Sequence, residues 1–178
     1  MRTASSPWSF HRISELELPV CRYCHALGSP RIRRFFSVVS RLGDGHYWYL
    51  TLALLLLVQG AAALPALRHV LGVGLLCHGL YRALKRKTAR VRPFDFAQEG
   101  FHTLVAPLDK YSFPSGHTLH AVVFTLVLTH FFPALGWILI PFTLCVAASR
   151  VVLGLHYPTD VVAGALLGFA LSFASFLI

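Results

Sequence analysis

The sequence has few charged residues, and acidic residues are the scarcest of them. Charged side chains make up 13% of the 178 residues, with 7 Asp and Glu against 16 Lys and Arg, while 56% are hydrophobic. Soluble domains carry about 25% charged residues, so an ordinary soluble protein is excluded. The composition indicates an integral membrane protein, and its net charge of +9 suits anionic lipids or anionic substrates. Nucleic acid is not expected as a partner, because the basic residues lie between apolar runs.

The sequence also lacks a legible disulfide framework, although it contains four cysteines. Cys21-Arg-Tyr-Cys24-His25 matches the attachment pattern of a c-type haem. Against haem, Met1 is the only methionine and no soluble haem-sized domain surrounds the motif. Cys21 and Cys24 are therefore predicted to share the apolar face of a short helix, and the other two cysteines to be small core residues. We expect no cofactor.

Long apolar runs predict the helices that cross the membrane. These predicted spans are residues 47–66, 70–84, 117–134, 135–152 and 160–178. The second is short for a crossing, and Arg68 with His69 predicts the turn before it. The aromatic residues at 47–49 predict a belt at the membrane interface. Residues 94–113 are polar and aromatic, which predicts a loop between the second and third spans.

Residues 1–46 are too polar for a further span. Residues 1–10 show no signal-peptide pattern and are expected to be a loose end. Residues 11–28 predict a short amphipathic segment that Pro19 interrupts. Residues 31–42 predict a basic helix with an aromatic face, lying at the membrane interface or packed on the bundle. The expected fold is an all-α polytopic membrane bundle of about five transmembrane helices, with a domain at 47–178 behind this interfacial segment.

Three ionisable residues interrupt the apolar C-terminal third. Arg150, His156 and Asp160 lie within eleven positions. Ionisable groups at membrane depth are costly, which makes them functional candidates. The alternative is that Arg150 and Asp160 form a pair that only holds two helices together.

Two more polar stretches are predicted to meet these residues at one membrane face. Lys85 to Arg92-Pro93 follows the second span, and Pro114-Ser115-Gly116-His117 opens the third, one loop away on the same face. The third and fourth spans form a hairpin, which returns residues 149–160 to that face. Convergence of these stretches predicts a functional site.

The predicted site favours a phosphate group. Lys85, Arg92 and Arg150 repel one another unless a multivalent anion lies between them, and the Arg fork matches phosphate oxygens. Ser115 is a plausible N-cap of the third span, which leaves the backbone N–H of Gly116 free for an anion. Pro158 suits the first turn of the last span and directs a second helix N-terminus to the same place.

The histidines add the chemistry of phosphoryl transfer. Asp160, four residues after His156, can fix the imidazole tautomer, which leaves the other ring nitrogen of His156 free to attack. His117 comes from another span and can act as the general acid. The chemical alternative is a metal site formed by His117, His156 and Asp160. We expect no metal, because the nearby cations disfavour a bound dication.

Together these stretches resemble the type 2 phosphatidic acid phosphatase superfamily. Its signature is Lys-x6-Arg-Pro, then Pro-Ser-Gly-His, then Ser-Arg-x5-His-x3-Asp, and all three occur here in order within residues 47–178. The resemblance implies a metal-independent enzyme with a phosphohistidine at His156, the acid at His117 and the orienting carboxylate at Asp160. It implies phosphate contacts from Lys85, Arg92, Ser115, Gly116 and Arg150. Membrane members commonly have six spans, one more than is predicted here.

The expected function is a lipid phosphatase whose substrate tail stays in the bilayer. Undecaprenyl diphosphate, phosphatidic acid or phosphatidylglycerol phosphate, and lipid A are the candidate substrates. A phosphotransferase with the same intermediate and a non-catalytic lipid-binding protein are the alternatives. The resemblance favours a bacterial inner membrane with the site on the outer, periplasmic face. The Arg residues of 31–41 favour the cytoplasmic face instead, by the positive-inside rule.

Overall fold

The computed structural model describes residues 10–97, 99–101 and 105–177, and these contain helices and no strand. Apart from Phe10, the predicted loose end at residues 1–10 lies outside this range. The all-α prediction is confirmed. The α-helices of the described residues are α1 (Phe10–Leu27), α2 (Pro30–Arg41), α3 (Tyr47–Gln59), α4 (Leu64–Thr88), α5 (Pro93–Ala97), α6 (Gly116–Phe131), α7 (Gly136–Val152) and α8 (Pro158–Ser175).

Helix α6 lies at the centre of the bundle and packs against α4, α7 and α8. Two glycines of α8 explain how closely α8 approaches α6. A Cβ on Gly164 would lie 2.5 Å from the Ser115 carbonyl oxygen, and one on Gly168 would lie 2.9 Å from that of Leu119. The close approach lets Ser115 N–H donate to the Asp160 carbonyl at 2.9 Å. The start of α6 and the start of α8 are thereby held together.

The turn between the first two predicted spans lies earlier than expected. The prediction of a turn at Arg68 and His69 is wrong, because both residues lie within α4. The chain turns instead at Gly60, whose φ of 54° suits glycine, in a 3₁₀ turn over Gly60–Ala63. Helix α4 therefore has 25 residues, long enough to cross a bilayer at about 1.5 Å per residue.

The described residues form a multi-pass membrane protein. Segments long and apolar enough to cross a bilayer are Pro30–Ala97, Pro133–Val152 and Pro158–Ser175, and α6 is a shorter apolar helix. Large apolar side chains such as Leu57, Trp137 and Phe173 are exposed, as expected for surfaces that face lipid. The prediction that Trp48 belongs to an aromatic belt at the membrane interface is wrong. Its side chain is 3% exposed and packs against Phe124 and Phe142.

The N-terminal helices pack on the bundle. Helix α1 runs through Pro19, which does not interrupt it as predicted. Side chains on both sides of Pro19 hold α1 in place: Ser14 accepts from Arg90 Nε at 3.1 Å, and His25 Nδ1 lies 2.9 Å from the Val152 carbonyl oxygen. Helix α2 packs against α7 through one face and exposes side chains such as Phe35 on the other.

Candidate active site

The structure brings the three predicted cations into one buried cluster. Lys85, Arg92 and Arg150 are at most 5% exposed. Asp109, from the loop before α6, lies between two of them: its Oδ1 accepts from Lys85 Nζ at 2.6 Å and from Arg92 Nη2 at 2.7 Å. Arg150 Nη1 donates to Ser40 Oγ of α2, and no described residue accepts from Arg150 Nε. Asp109 pairs with two of the three buried cations, and Arg150 donates to a neutral hydroxyl, so the cluster favours a further anion.

Lys85, Arg92 and Arg150 are called the cationic cradle below. His156 lies beside this cradle, in the loop between α7 and α8. Its Nε2 is 3.2 Å from Arg92 Nη1, which can only donate, so Nε2 is the acceptor. The proton of a neutral ring is then on Nδ1, which lies 3.5 Å from Asp160 Oδ2 without forming a hydrogen bond to a described residue. Burial and the Arg92 charge place the pKa of His156 well below its usual 6.5. The ring is therefore neutral at pH 7, with its lone pair directed at the cradle.

Asp160 is held at the first turn of α8. Its Oδ2 accepts from Tyr157 N–H at 2.9 Å, which caps the helix, and its Oδ1 accepts from Arg90 Nη1 at 2.7 Å. The pair between Asp160 and Arg150, the alternative interpretation of these residues, does not form, since the cation that contacts Asp160 is Arg90. This contact anchors Asp160 beside His156.

His117 opens α6 and borders the cradle from another direction. Its Nε2 hydrogen bonds with Asp44 Oδ1, from the segment Leu42–His46 that joins α2 to α3. Ser115 caps α6 as predicted, accepting from Thr118 N–H at 3.4 Å. Asp109, the shared partner of the cradle cations, lines the same cavity of about 280 Å³ as Gly116 and His117. The cavity therefore borders the predicted acid, His117, and the carboxylate that pairs with Lys85 and Arg92.

The side chains of the alternative metal site do not point at a common centre. His117 faces Asp44, while Asp160 faces Arg90. The described ranges contain no group of three or more His, Cys, Asp or Glu side chains placed to hold a metal ion. Cys21 and Cys24 are free thiols of α1, and burial raises the pKa of Cys21 to about 12.

Sequence reasoning missed three charged residues of the site: Arg90, Asp44 and Asp109. The scarcity of acidic residues was the available signal, since costly buried cations need counter-charges. Of the 7 acidic residues of the chain, Glu17, Asp44, Asp109 and Asp160 all contact cations or histidines of this region. Their partners depend on loop and helix packing, which the sequence pattern does not specify.

The structure is a membrane helical bundle with a neutral histidine, an anchored carboxylate and a cationic cradle. These features are those of a class of membrane protein that binds and processes a phosphate group. Comparison with protein families matches residues 48–178 to the PAP2 superfamily. The chain belongs to this superfamily, which confirms the resemblance seen in its motifs.

Individual relatives and solved structures agree with this family. Undecaprenyl-diphosphatase of Sulfolobus acidocaldarius is 36% identical over 140 residues, covering 77% of this chain and 66% of that protein. Decaprenylphosphoryl-5-phosphoribose phosphatase of Mycolicibacterium smegmatis is 32% identical over 143 residues, covering 77% and 73%. The crystal structure of a transmembrane PAP2 phosphatidylglycerolphosphate phosphatase from Bacillus subtilis superposes with a TM-score of 0.73 at 23% identity, covering 93% of this chain and 85% of that one, which shows the shared fold. The chain thus spans about two thirds of the length of the Sulfolobus protein.

Proposed function

We propose that the protein is an integral membrane phosphatase that hydrolyses a phosphomonoester or diphosphate of a membrane lipid through a phosphohistidine on His156. The observation that carries the proposal is the buried His156, whose Nε2 lies 3.2 Å from Arg92 within the cationic cradle. A nucleophile next to a phosphate site, with its second ring nitrogen facing a carboxylate, is the arrangement that covalent catalysis requires.

In the first step, His156 Nε2 attacks phosphorus and forms the N–P bond as the bond to the leaving oxygen breaks. Lys85, Arg92 and Arg150 stabilise the charge on the equatorial oxygens. Ser115 caps α6, and the N–H groups at this helix start, including that of Gly116, add to the phosphate site. Asp109 occupies the space between Lys85 and Arg92 and must shift when the phosphate binds.

His117 donates a proton to the leaving oxygen, and the hydrogen bond to Asp44 orients its ring. In the second step, a water oxygen attacks phosphorus, His117 accepts the water's proton, and the N–P bond breaks to release phosphate. Asp160 faces the Nδ1–H of His156 throughout and stabilises the positive charge that develops on the ring.

A polyprenyl diphosphate is the substrate that we put first. The support is the similarity to an undecaprenyl-diphosphatase and to a phosphatase that acts on a decaprenyl-linked phosphate. Phosphatidic acid, phosphatidylglycerol phosphate and lipid A are further candidates with the same reacting group. Transfer of the phosphoryl group to an acceptor other than water uses the same intermediate and is the second candidate reaction.

For location, we propose the bacterial inner membrane, with the site on the periplasmic side. The motif cations are fixed by their role in phosphate binding, so they are weak evidence of orientation. The basic residues of α2 support the opposite orientation. Labelling of a cysteine introduced at exposed Lys87, in cells with intact inner membranes, distinguishes the two sides.

Phosphate release by the purified protein in detergent tests the proposal. The panel contains polyprenyl diphosphate, phosphatidic acid, phosphatidylglycerol phosphate and lipid A, each with a chelator. We expect the wild type to release phosphate and His156→Ala to release none. His130→Ala, at the other end of α6, is the matched control and keeps activity. Turnover by His156→Ala would overturn the nucleophile assignment. Phosphate found on an added acceptor, and not free, would favour phosphotransfer.

A further inference from the structure

Arg90 forms a buried link between α1 and the start of α8. It is 1% exposed, and its guanidinium donates to residues of both helices. The distances are 3.1 Å from Nε to Ser14 Oγ, 2.8 Å from Nη1 to Thr159 Oγ1, 2.7 Å from Nη1 to Asp160 Oδ1 and 2.8 Å from Nη2 to Glu17 Oε2. The ring of Tyr157 lies 4.0 Å from its Cζ. A planar fork with five donors suits such a junction.

The contacts of Arg90 separate it from the phosphate cradle. All three of its nitrogens donate to α1 or α8, whereas Arg92, two residues later, contacts His156 and Asp109. The Arg90 backbone carbonyl accepts from Ser112 N–H at 2.9 Å, which holds the loop before α6. Arg90 is therefore placed to act on the reaction through Asp160 and not through a phosphate oxygen.

Glu17 completes the link from the N-terminal helix. Its Oε1 accepts from the Thr159 N–H at 2.8 Å, one of the N–H groups that the start of α8 leaves without a helical partner. Its Oε2 accepts from Thr159 Oγ1 at 2.6 Å and from Arg90. Arg90 thus lies between two carboxylates, Glu17 and Asp160. Without this cation, the half-buried carboxylate of Glu17 and the buried carboxylate of Asp160 would face each other, and Asp160 would move or lose its charge.

We propose that Arg90 is a positioning residue that fixes Asp160 against His156, and that Glu17 of α1 holds Arg90 in place. The inference rests on the proposed function, because it assigns these residues to the same phosphatase site. It makes the first N-terminal helix part of the machinery that orients the nucleophile.

The test measures phosphate release and inhibition by inorganic phosphate for Arg90→Gln, Arg90→Lys and wild type. We expect Arg90→Gln to lower kcat roughly 10- to 100-fold, as is typical when a residue that orients a reacting group is lost. KM and the inhibition constant for phosphate should stay within about twofold of wild type, because the cradle is intact. Arg90→Lys should recover part of kcat, since it keeps the charge and loses the fork.

The matched control is Lys87→Gln, which removes a positive charge from an exposed position one turn earlier and should behave as wild type. Arg92→Gln should raise the inhibition constant for phosphate. An Arg90→Gln variant that raises that constant as Arg92→Gln does would show a phosphate ligand and overturn the proposal. So would an Arg90→Gln variant with wild-type kcat.

Glu17 supplies a second variant set in case Arg90→Gln does not fold. We expect Glu17→Gln to lower kcat less than Arg90→Gln, because Asp160 still balances Arg90. The double variant should lose less than the product of the single losses, as expected for residues of one network. Full additivity, or wild-type kcat in Glu17→Gln, would overturn the link to α1. A wild type without turnover on any panel lipid would instead refute the proposed function.

Discussion

Lys85 Nζ lies 2.6 Å from Asp109 Oδ1, so a carboxylate of the protein occupies the position where a phosphate oxygen is expected to bind. Asp109 also accepts from Arg92 at 2.7 Å. The substrate-free enzyme therefore holds its buried cations with its own counter-charge, and substrate binding competes with this internal carboxylate.

Replacement of Asp109 is expected to lower the stability of the protein and to raise its affinity for phosphate. We expect Asp109→Asn to tighten competitive inhibition by inorganic phosphate several-fold, because the competing negative charge is gone. The same variant should melt at a lower temperature without phosphate, since removal of one partner of a buried pair leaves cations unpaired, at a cost of about 3–5 kcal/mol for a fully buried pair. Asp109 is partly exposed, so the loss should be smaller.

Inhibition assays and thermal melts in detergent, with and without phosphate, check this prediction. Asp95→Asn, in the short helix α5, is the matched control for loss of a carboxylate. Weaker phosphate inhibition in Asp109→Asn would mean that Asp109 assists phosphate binding and does not compete with it.

Asp160→Asn tests control of the His156 tautomer. An amide can present its NH₂ group to Nδ1 and favour the wrong tautomer, so we expect kcat to fall by a factor of about 10³–10⁴, as in other His–Asp pairs. Inhibition by phosphate should change little. Single-turnover measurements with the preferred lipid give the rate of the chemical step, and a wild-type rate would assign Asp160 a purely structural role.

Asp44→Asn tests the orientation of His117. Asp44 hydrogen bonds with His117, and general acid–base catalysis contributes about 10²–10⁴-fold. We expect Asp44→Asn to lose part of that factor, mainly with a poor leaving group such as a lipid alcohol. A substrate with an activated leaving group, such as p-nitrophenyl phosphate, needs less proton donation and should be affected less. Equal losses on both substrates would contradict the acid role.

His156 predicts a pH dependence of stability. Burial and the Arg92 charge place its pKa well below 6.5 in the folded protein, while the unfolded chain has a value of about 6.5. Below pH 6.5 the unfolded state therefore binds more protons, so His156 makes stability fall as pH decreases, by at most about 1.4 kcal/mol per pH unit. His156→Gln should show a shallower loss of melting temperature than wild type between pH 7.5 and 5. Parallel curves would mean that His156 titrates normally in the folded protein.

The helical membrane fold and the meeting of the three motifs at one site were predictable from the sequence, because both depend on local patterns of residues. Ser115 and Pro158 lie at their predicted helix starts, and Lys85, Arg92 and His156 meet as their positions at span ends imply. The turn at Gly60 was misplaced because Arg68 and His69 looked like a break in an apolar run. Both instead lie on α4, where His69 hydrogen bonds with Ser175 at 2.8 Å.

The N-terminal helices were the least predictable part, for a physical reason. Their periodic apolar and basic residues suit a membrane surface and a packed helix equally well. Ser14 and Glu17 of α1 contact Arg90, and Ser40 of α2 contacts Arg150, which helps to hold the two helices on the bundle. These are long-range polar contacts between single residues, and periodicity contains no information about them. The division of the chain into a segment of residues 1–46 and a domain of residues 47–178 stays a prediction.

The two glycines of α8 have a consequence for how the enzyme can vary. Because Gly164 and Gly168 bring α8 against the backbone of α6, the helix that carries His117 and the helix that carries Asp160 are held close together. In the proposed mechanism, the distance between the acid and the orienting carboxylate is therefore set when the protein folds. We expect adaptation to a different lipid head group to involve the cavity residues outside these two helices, which come from α3, α4, the segment 42–46 and the loop before α6.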